Sequence, residues 1–159
     1  MNFLKSKSTY LLLVLTLSTS SSFAQLNAQE QAVMKPIEAL FEGMKKADTA
    51  MVIGAFAEKV SLMTAYLTKE GESKVHHGKL EDFIKAIAEK PTDSPLWLET
   101  IANPKIQVDD HLAHVWVDYT FKLDEKFSHC GVNSFQLVKL KGEWKIVQLI
   151  DTRRKDNCN

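Results

Sequence analysis

Five histidines, two cysteines and a few polar residues set among aromatic ones are the groups in this chain that could do chemistry. His76-His77 and the His111/His114 pair suggest metal ligation. On a strand, however, residues one or three apart point to opposite faces, so neither pair readily chelates one ion. No cysteine cluster lies nearby to complete a zinc site, and no metal is expected. His77 reads instead as part of a pocket rim, and His111 as solvated. The chain holds no G-x-S-x-G elbow, no phosphate-binding loop and no dinucleotide fingerprint, so no cofactor is implied. A serine–histidine–acid triad could be assembled on paper, but no spacing supports it. The remaining chemistry is acid–base: His129 or His77 as a general base, with Tyr119 or Asn133 polarising a substrate.

The two cysteines, Cys130 and Cys158, take their meaning from the compartment. The N-terminus has a basic stretch at Lys5 and Lys7, a short apolar run from Tyr10 to Leu17, and a small-x-small site at Ser22-Phe23-Ala24. This pattern predicts a signal peptide over residues 1–24, cleaved after Ala24, and a periplasmic or secreted bacterial protein. The apolar run is too short to span a bilayer, which takes about 20 residues, so no membrane association is expected after cleavage. Residues 25–159 then form a single domain. In that setting a disulfide is allowed, and Cys130–Cys158 is the one internal pairing available. The alternative is two free thiols, a liability outside the cytosol. Losing two lysines and no acids from 20 basic and 20 acidic residues leaves a charge of −2. No basic excess points to nucleic acid.

These residues must be held by elements. Asn27-Ala28-Gln29-Glu30 is a capping-box pattern, followed by Val33, Ile37, Leu40, Phe41 and Met44 at helical spacing. Pro36 either kinks this helix or marks its first turn. Asp48 is a good N-cap for a second helix carrying Val52, Ala55 and Phe56. Strands are expected at 60–67 and 74–78, and a third amphipathic helix carries Leu80, Phe83, Ile84 and Ile87. After the loop at 89–95 the period changes to two, giving strands near 97–106, 111–122, 130–140 and 144–153. Helices first and a long antiparallel meander last is an α+β pattern.

Register decides which side chains share a face. A turn at Lys141-Gly142 sets Leu137 opposite Ile146, Phe135 opposite Gln148 and Asn133 opposite Ile150. A three-residue turn at 124–126 then places Val115, Val117, Tyr119 and Phe121 on the same face. A two-residue turn would scatter the apolar residues, so the longer turn is preferred. The inner face gathers pocket candidates Tyr119, His129, Asn133, Phe135 and Gln148, with Tyr66 and His77 as further candidates from the first strands. Few polar groups among many apolar ones is the composition of a small-ligand site. The outer face holds His114, Trp116, Asp118, Ser134, Gln136, Lys145, Asp151 and Arg153. Of these, Trp116, Asp118, Gln136 and Arg153 are candidates for a dimer face, and Arg153 could pair with Asp118 or Asp151.

The element order resembles the nuclear transport factor 2-like superfamily over nearly all of residues 27–153. The carriers are "MKKADTAMVIGAFAEKVSLM", "VHHGKLEDFI" and "AHVWVDYTF…VNSFQLVKLKGEWKIVQLIDT". The last block looks like the closing hairpins of secreted lumazine-binding-like or polyketide cyclase-like members. The resemblance implies a cone-shaped fold, with three N-terminal helices packed on a strongly curved antiparallel sheet around a conical pocket. It also implies a homodimer, since many members pair through the outer sheet face. It does not imply one chemistry. Where ketosteroid isomerases of the superfamily need a tyrosine, a carboxylate base and a second acid, this chain has Leu40, Thr64 and Asn133, which cannot supply those proton transfers. The reading that follows is a noncatalytic domain binding a small hydrophobic or aromatic ligand or a protein. The alternative is an isomerase-, cyclase- or dehydratase-like pocket enzyme.

Overall fold

The computed structural model describes residues 26–91 and 93–158. The expected signal peptide lies outside them. Asn27 opens helix α1 (Ala28–Lys46). Its Oδ1 accepts from the N–H groups of Gln29 and Glu30 at 2.9 and 3.0 Å, and its own N–H donates to Glu30 Oε2 at 2.9 Å. This reciprocal box satisfies donors that every helix N-terminus leaves unpaired. Pro36 sits inside the continuous helix, on its buried side. Val33, Ile37, Leu40 and Met44, three or four residues apart, form the buried stripe. Ala47 ends the helix in the left-handed region. Asp48 then caps α2 (Thr49–Ala55), accepting from Met51 N–H at 2.9 Å.

Two strands follow, β1 (Phe56–Leu67) and β2 (Ser73–Gly78), then α3 (Leu80–Ala88). The meander comprises β3 (Trp97–Asp109), β4 (Leu112–Leu123), β5 (Lys126–Leu140) and β6 (Glu143–Thr152). They form one six-stranded curved sheet in the order β2-β1-β6-β5-β4-β3. Two expectations are corrected. Only α1 and α2 precede the strands, because α3 is the connection between β2 and β3. The sheet is also mixed, since β1 runs parallel to β6. No hairpin joins those two strands, so no local turn forces them antiparallel.

The β4–β5 register from Phe121 onward is the expected one: Phe121 faces His129, Tyr119 faces Gly131, Val117 faces Asn133 and Val115 faces Phe135. The turn that delivers it differs. Asp124-Glu125 is a two-residue turn, and a bulge at Ser128 absorbs the extra residue. Asp124 takes a positive φ and laces the turn to the start of β3, with its N–H on Leu96 O at 2.9 Å and Leu96 N–H on its Oδ1 at 2.7 Å.

A second bulge matters more. Lys139 faces Trp144 and Leu137 faces Ile146 as expected, but Gln136 then faces Gln148, Phe135 faces Leu149 and Asn133 faces Asp151. Val147 is the extra residue. Everything after it changes face. Gln148 therefore lies outside with Gln136, while Leu149, Asp151 and Arg153 belong to the inner face. The placement of Gln148 in the pocket, and of Asp151 and Arg153 on the outer face, is overturned by this one residue.

The core lies between α1 and the inner sheet face, with Phe135, Leu137, Val115, Val117 and Ile146 each fully buried. Phe41 meets Phe135 edge-on at 6.2 Å. Each such side chain contributes about 1.5–3 kcal/mol. Beyond β6 the chain runs on beside β5 in the same antiparallel register, where Cys130 and Arg154 exchange two backbone hydrogen bonds of 2.9 Å. Cys158 pins this end by its disulfide to Cys130, with Cα atoms 5.8 Å apart. Gly131 makes the close approach of the two strands possible. A Cβ there would land on the carbonyl oxygen of Thr152 and 2.7 Å from Tyr119 Cε1.

Candidate functional site

Polar side chains run across the inner face on five consecutive strands. Thr64 comes from β1, Asp151 from β6, Asn133 from β5, Tyr119 from β4 and Glu99 from β3. Asp151, Asn133 and Tyr119 are buried. They form two linked groups rather than one.

Asp151 organises the first. Its Oδ1 accepts from the Thr64 hydroxyl at 2.5 Å, and its Oδ2 accepts from Arg153 Nε at 2.9 Å. The Tyr119 hydroxyl lies 3.3 Å from the same Oδ2, but donates over a shorter 2.8 Å to the carbonyl of Thr152. Burial, then the charges of Asp151 and Glu99, push the Tyr119 phenol above its ordinary range, so it acts as a neutral donor. His129 meets Tyr119 edge-on at 5.7 Å and lies tilted against Phe121 at 4.9 Å, and Ser128 Oγ lies 3.0 Å from its Nδ1. Burial and the nearby Arg153 lower its pKa, favouring the neutral ring.

Glu99 and Asn133 form the second group. Asn133 Nδ2 donates to Glu99 Oε1 at 2.7 Å. Burial raises the Glu99 carboxyl to about 7, against the opposing effect of this bond, with Asp151 adding to the rise. Glu99 borders a groove beside α1, with Glu38, Phe41 and Lys45, and not the space next to Asp151.

That space is a cleft of about 350 Å³ between α3, β1, β2 and β6. Phe56, Leu62, Phe83 and Leu149 give it an apolar body, and Thr64, Asp151 and Arg153 form its polar wall. His77 and Lys79 stand at the β2–α3 side, with Asp82 of opposite charge one turn along.

Of the residues expected in a pocket, only His77 lines this cleft. Tyr66 is exposed on a neighbouring groove with Val75 and Thr152. Tyr119 and Asn133 lie buried with their polar atoms engaged. His129 lies against two rings, Phe135 is sealed in the core, and Gln148 is outside. Leu40, matched to the isomerase tyrosine, is a core residue, while Thr64, matched to its base, holds Asp151. Asp151, Arg153, Phe83 and Leu149 were missed as pocket residues. The adjacent apolar pairs in "IVQLI" are the one trace of the bulge that brings three of them inward.

On the opposite face, Trp116 is exposed, and Gln136 and Asp118 are half-buried. Asp118 accepts from Asn103 Nδ2 at 3.0 Å, and Arg153 pairs with Asp151 at 2.9 Å. His114 Nε2 lies 3.1 Å from Ser134 Oγ, and the exposed His111 pairs with Asp110 at 2.8 Å. Among the described residues no three metal-ligating side chains cluster.

Residues 28–150 match the family described as "Putative lumazine-binding". The chain belongs to that family. No curated protein matches it. Among solved structures it is similar to a nuclear transport factor 2-like protein of unknown function from Shewanella baltica. The TM-score is 0.60 at 20% identity, over 86% of this chain and 100% of that one. A nuclear transport factor 2-like protein from Cytophaga hutchinsonii gives 0.62 at 12% identity, over 81% and 100%. A cystatin-like fold of unknown function from Nostoc punctiforme gives 0.61 at 16%, over 83% and 96%. At these identities the likeness establishes the fold alone, which is that of the nuclear transport factor 2-like superfamily.

Proposed function

We propose that this protein is an exported, noncatalytic domain that takes a small hydrophobic or aromatic ligand into the cleft between α3 and β6. The observation that carries this reading is an apolar cleft with one fixed polar wall, Thr64–Asp151–Arg153. Such a cleft holds a ligand by its apolar body and orients it by one polar edge. Three of the four groups that an acid–base mechanism would use are committed elsewhere, Tyr119 to a backbone carbonyl, Asn133 to Glu99 and His129 against two rings, and His77 alone lines the cleft. The family's description makes lumazine the first ligand to try. Export is supported by the disulfide; among the described residues no helix is long and apolar enough to cross a membrane. Homodimerisation through the face bearing Trp116, Asp118 and Gln136 belongs to the same proposal.

The test is fluorescence titration of the mature protein with lumazine and with the neutral apolar dye N-phenyl-1-naphthylamine. Saturable binding of either, lost in Leu149→Trp, which fills the cleft, is the expected result. Binding of neither, or binding indifferent to Leu149→Trp, contradicts the proposal.

A further inference from the structure

We infer that the ligand of this cleft carries a carboxylate, received by the terminal nitrogens of Arg153. The inference rests on the cleft-binding reading above and names the chemistry of its polar edge.

Arg153 is fixed from three sides. The residue before it is held by two bonds, from the Tyr119 hydroxyl to the Thr152 carbonyl at 2.8 Å and from Val132 N–H to Thr152 Oγ1 at 3.1 Å. The residue after it, Arg154, is bridged to Cys130 through both backbone groups. The disulfide closes the tail four residues beyond Arg154. The side chain is itself anchored, with Nε donating to Asp151 Oδ2 at 2.9 Å. Asp151 has its other oxygen on Thr64, so it holds the guanidinium rather than offering itself to a ligand.

What is left over is the useful end. Among the described residues Nε is the one guanidinium nitrogen of Arg153 with a hydrogen-bond partner, and the side chain, 56% exposed, lines both the cleft and the neighbouring groove beside Tyr66. A guanidinium held by Nε still presents its two terminal amino groups, a planar fork that matches the two oxygens of a carboxylate. Both neighbours and the Nε are already ordered, so little further freedom is lost when a ligand arrives. The apolar side chains Phe56, Leu62, Phe83 and Leu149 then receive the body of the acid.

Calorimetric titration of the mature, disulfide-intact protein with naphthalene-2-carboxylate and with naphthalene-2-carboxamide tests this at pH 7 and low salt. The carboxylate should bind about tenfold more tightly, as charge-assisted bonds at a partly exposed site allow. Arg153→Gln should abolish that preference, weakening the acid far more than the amide, with circular dichroism confirming the fold. Arg153→Lys, which keeps the charge and loses the fork, should retain only part of it. Equal binding of acid and amide overturns the inference and leaves the cleft reading standing. So does a preference that survives Arg153→Gln, or binding of N-phenyl-1-naphthylamine but of neither naphthalene probe. Binding of none of the three overturns both.

Discussion

Replacing Glu99 by glutamine should stabilise the protein at neutral pH, and by an amount that depends on pH. Glu99 is held among Asn133, Asp151 and Tyr119, and burial raises its carboxyl from an ordinary 4.5 to about 7. An unfolded chain ionises this group from about pH 4.5, whereas the folded protein keeps it protonated until about 7. Between those values the folded state binds more protons, so stability falls as pH rises, and the loss is complete above about pH 7. The raised value corresponds to about 3–3.5 kcal/mol. Glutamine removes the charge and keeps a carbonyl to accept from Asn133 Nδ2, which now donates over 2.7 Å. Urea unfolding of both proteins from pH 4.5 to pH 8 isolates the effect, because the other titrating groups are shared. The variant's advantage should grow from near zero at pH 4.5 to about 3–3.5 kcal/mol at pH 8. A difference independent of pH, or a variant less stable at pH 8, would refute the reasoning and make Glu99 an ordinary ionised carboxylate.

The remaining predictions concern the tail and the outer face. Cys158→Ala should cost about 3–4 kcal/mol in urea unfolding, from the loop closed between positions 28 residues apart; a loss below about 1 kcal/mol would argue against a constraining bridge. Gly131→Ala should cost at least about 3 kcal/mol and expose the tail to protease, since its Cβ meets backbone at Thr152. Tolerance of that change, with an unaltered melting temperature, would show that Thr152 does not approach β5 so closely. Trp116→Glu should yield a folded monomer by light scattering, and a mass unchanged from the parent's would remove this face as the interface.

Much of the architecture is written in short-range chemistry. The Asn27–Glu30 box, the Asp48 cap and the stripe of Val33, Ile37 and Leu40 locate two helices because they act over a single turn. The faces of Val115, Val117, Tyr119 and Phe121 are legible because one apolar surface must be buried. The Asp124-Glu125 turn and its bulge at Ser128 reach that surface by another route. The site is less legible because it lies beyond the second bulge. "IVQLI" supplies apolar residues in both phases, so burial alone does not say whether Gln148 or Leu149 points inward. That ambiguity carried Asp151 and Arg153 to the wrong face and hid the cleft. Glu99 is missed for another reason: its environment is made by Asn133 and α1, both distant in sequence. The parallel pairing of β1 with β6 is equally a long-range outcome, with no turn to announce it.

The account's central claim is that the cleft between α3 and β6 receives a small ligand. Titrating the ¹⁵N-labelled mature protein with naphthalene-2-carboxylate and following its amide spectrum tests that claim most directly. The predicted result is saturable shifts concentrated at Leu62, Thr64, His77, Phe83, Leu149 and Arg153, with α1 and the Trp116 face unchanged. Shifts centred on the Glu99 groove or on the Trp116 face, or none with either this acid or N-phenyl-1-naphthylamine, would contradict it.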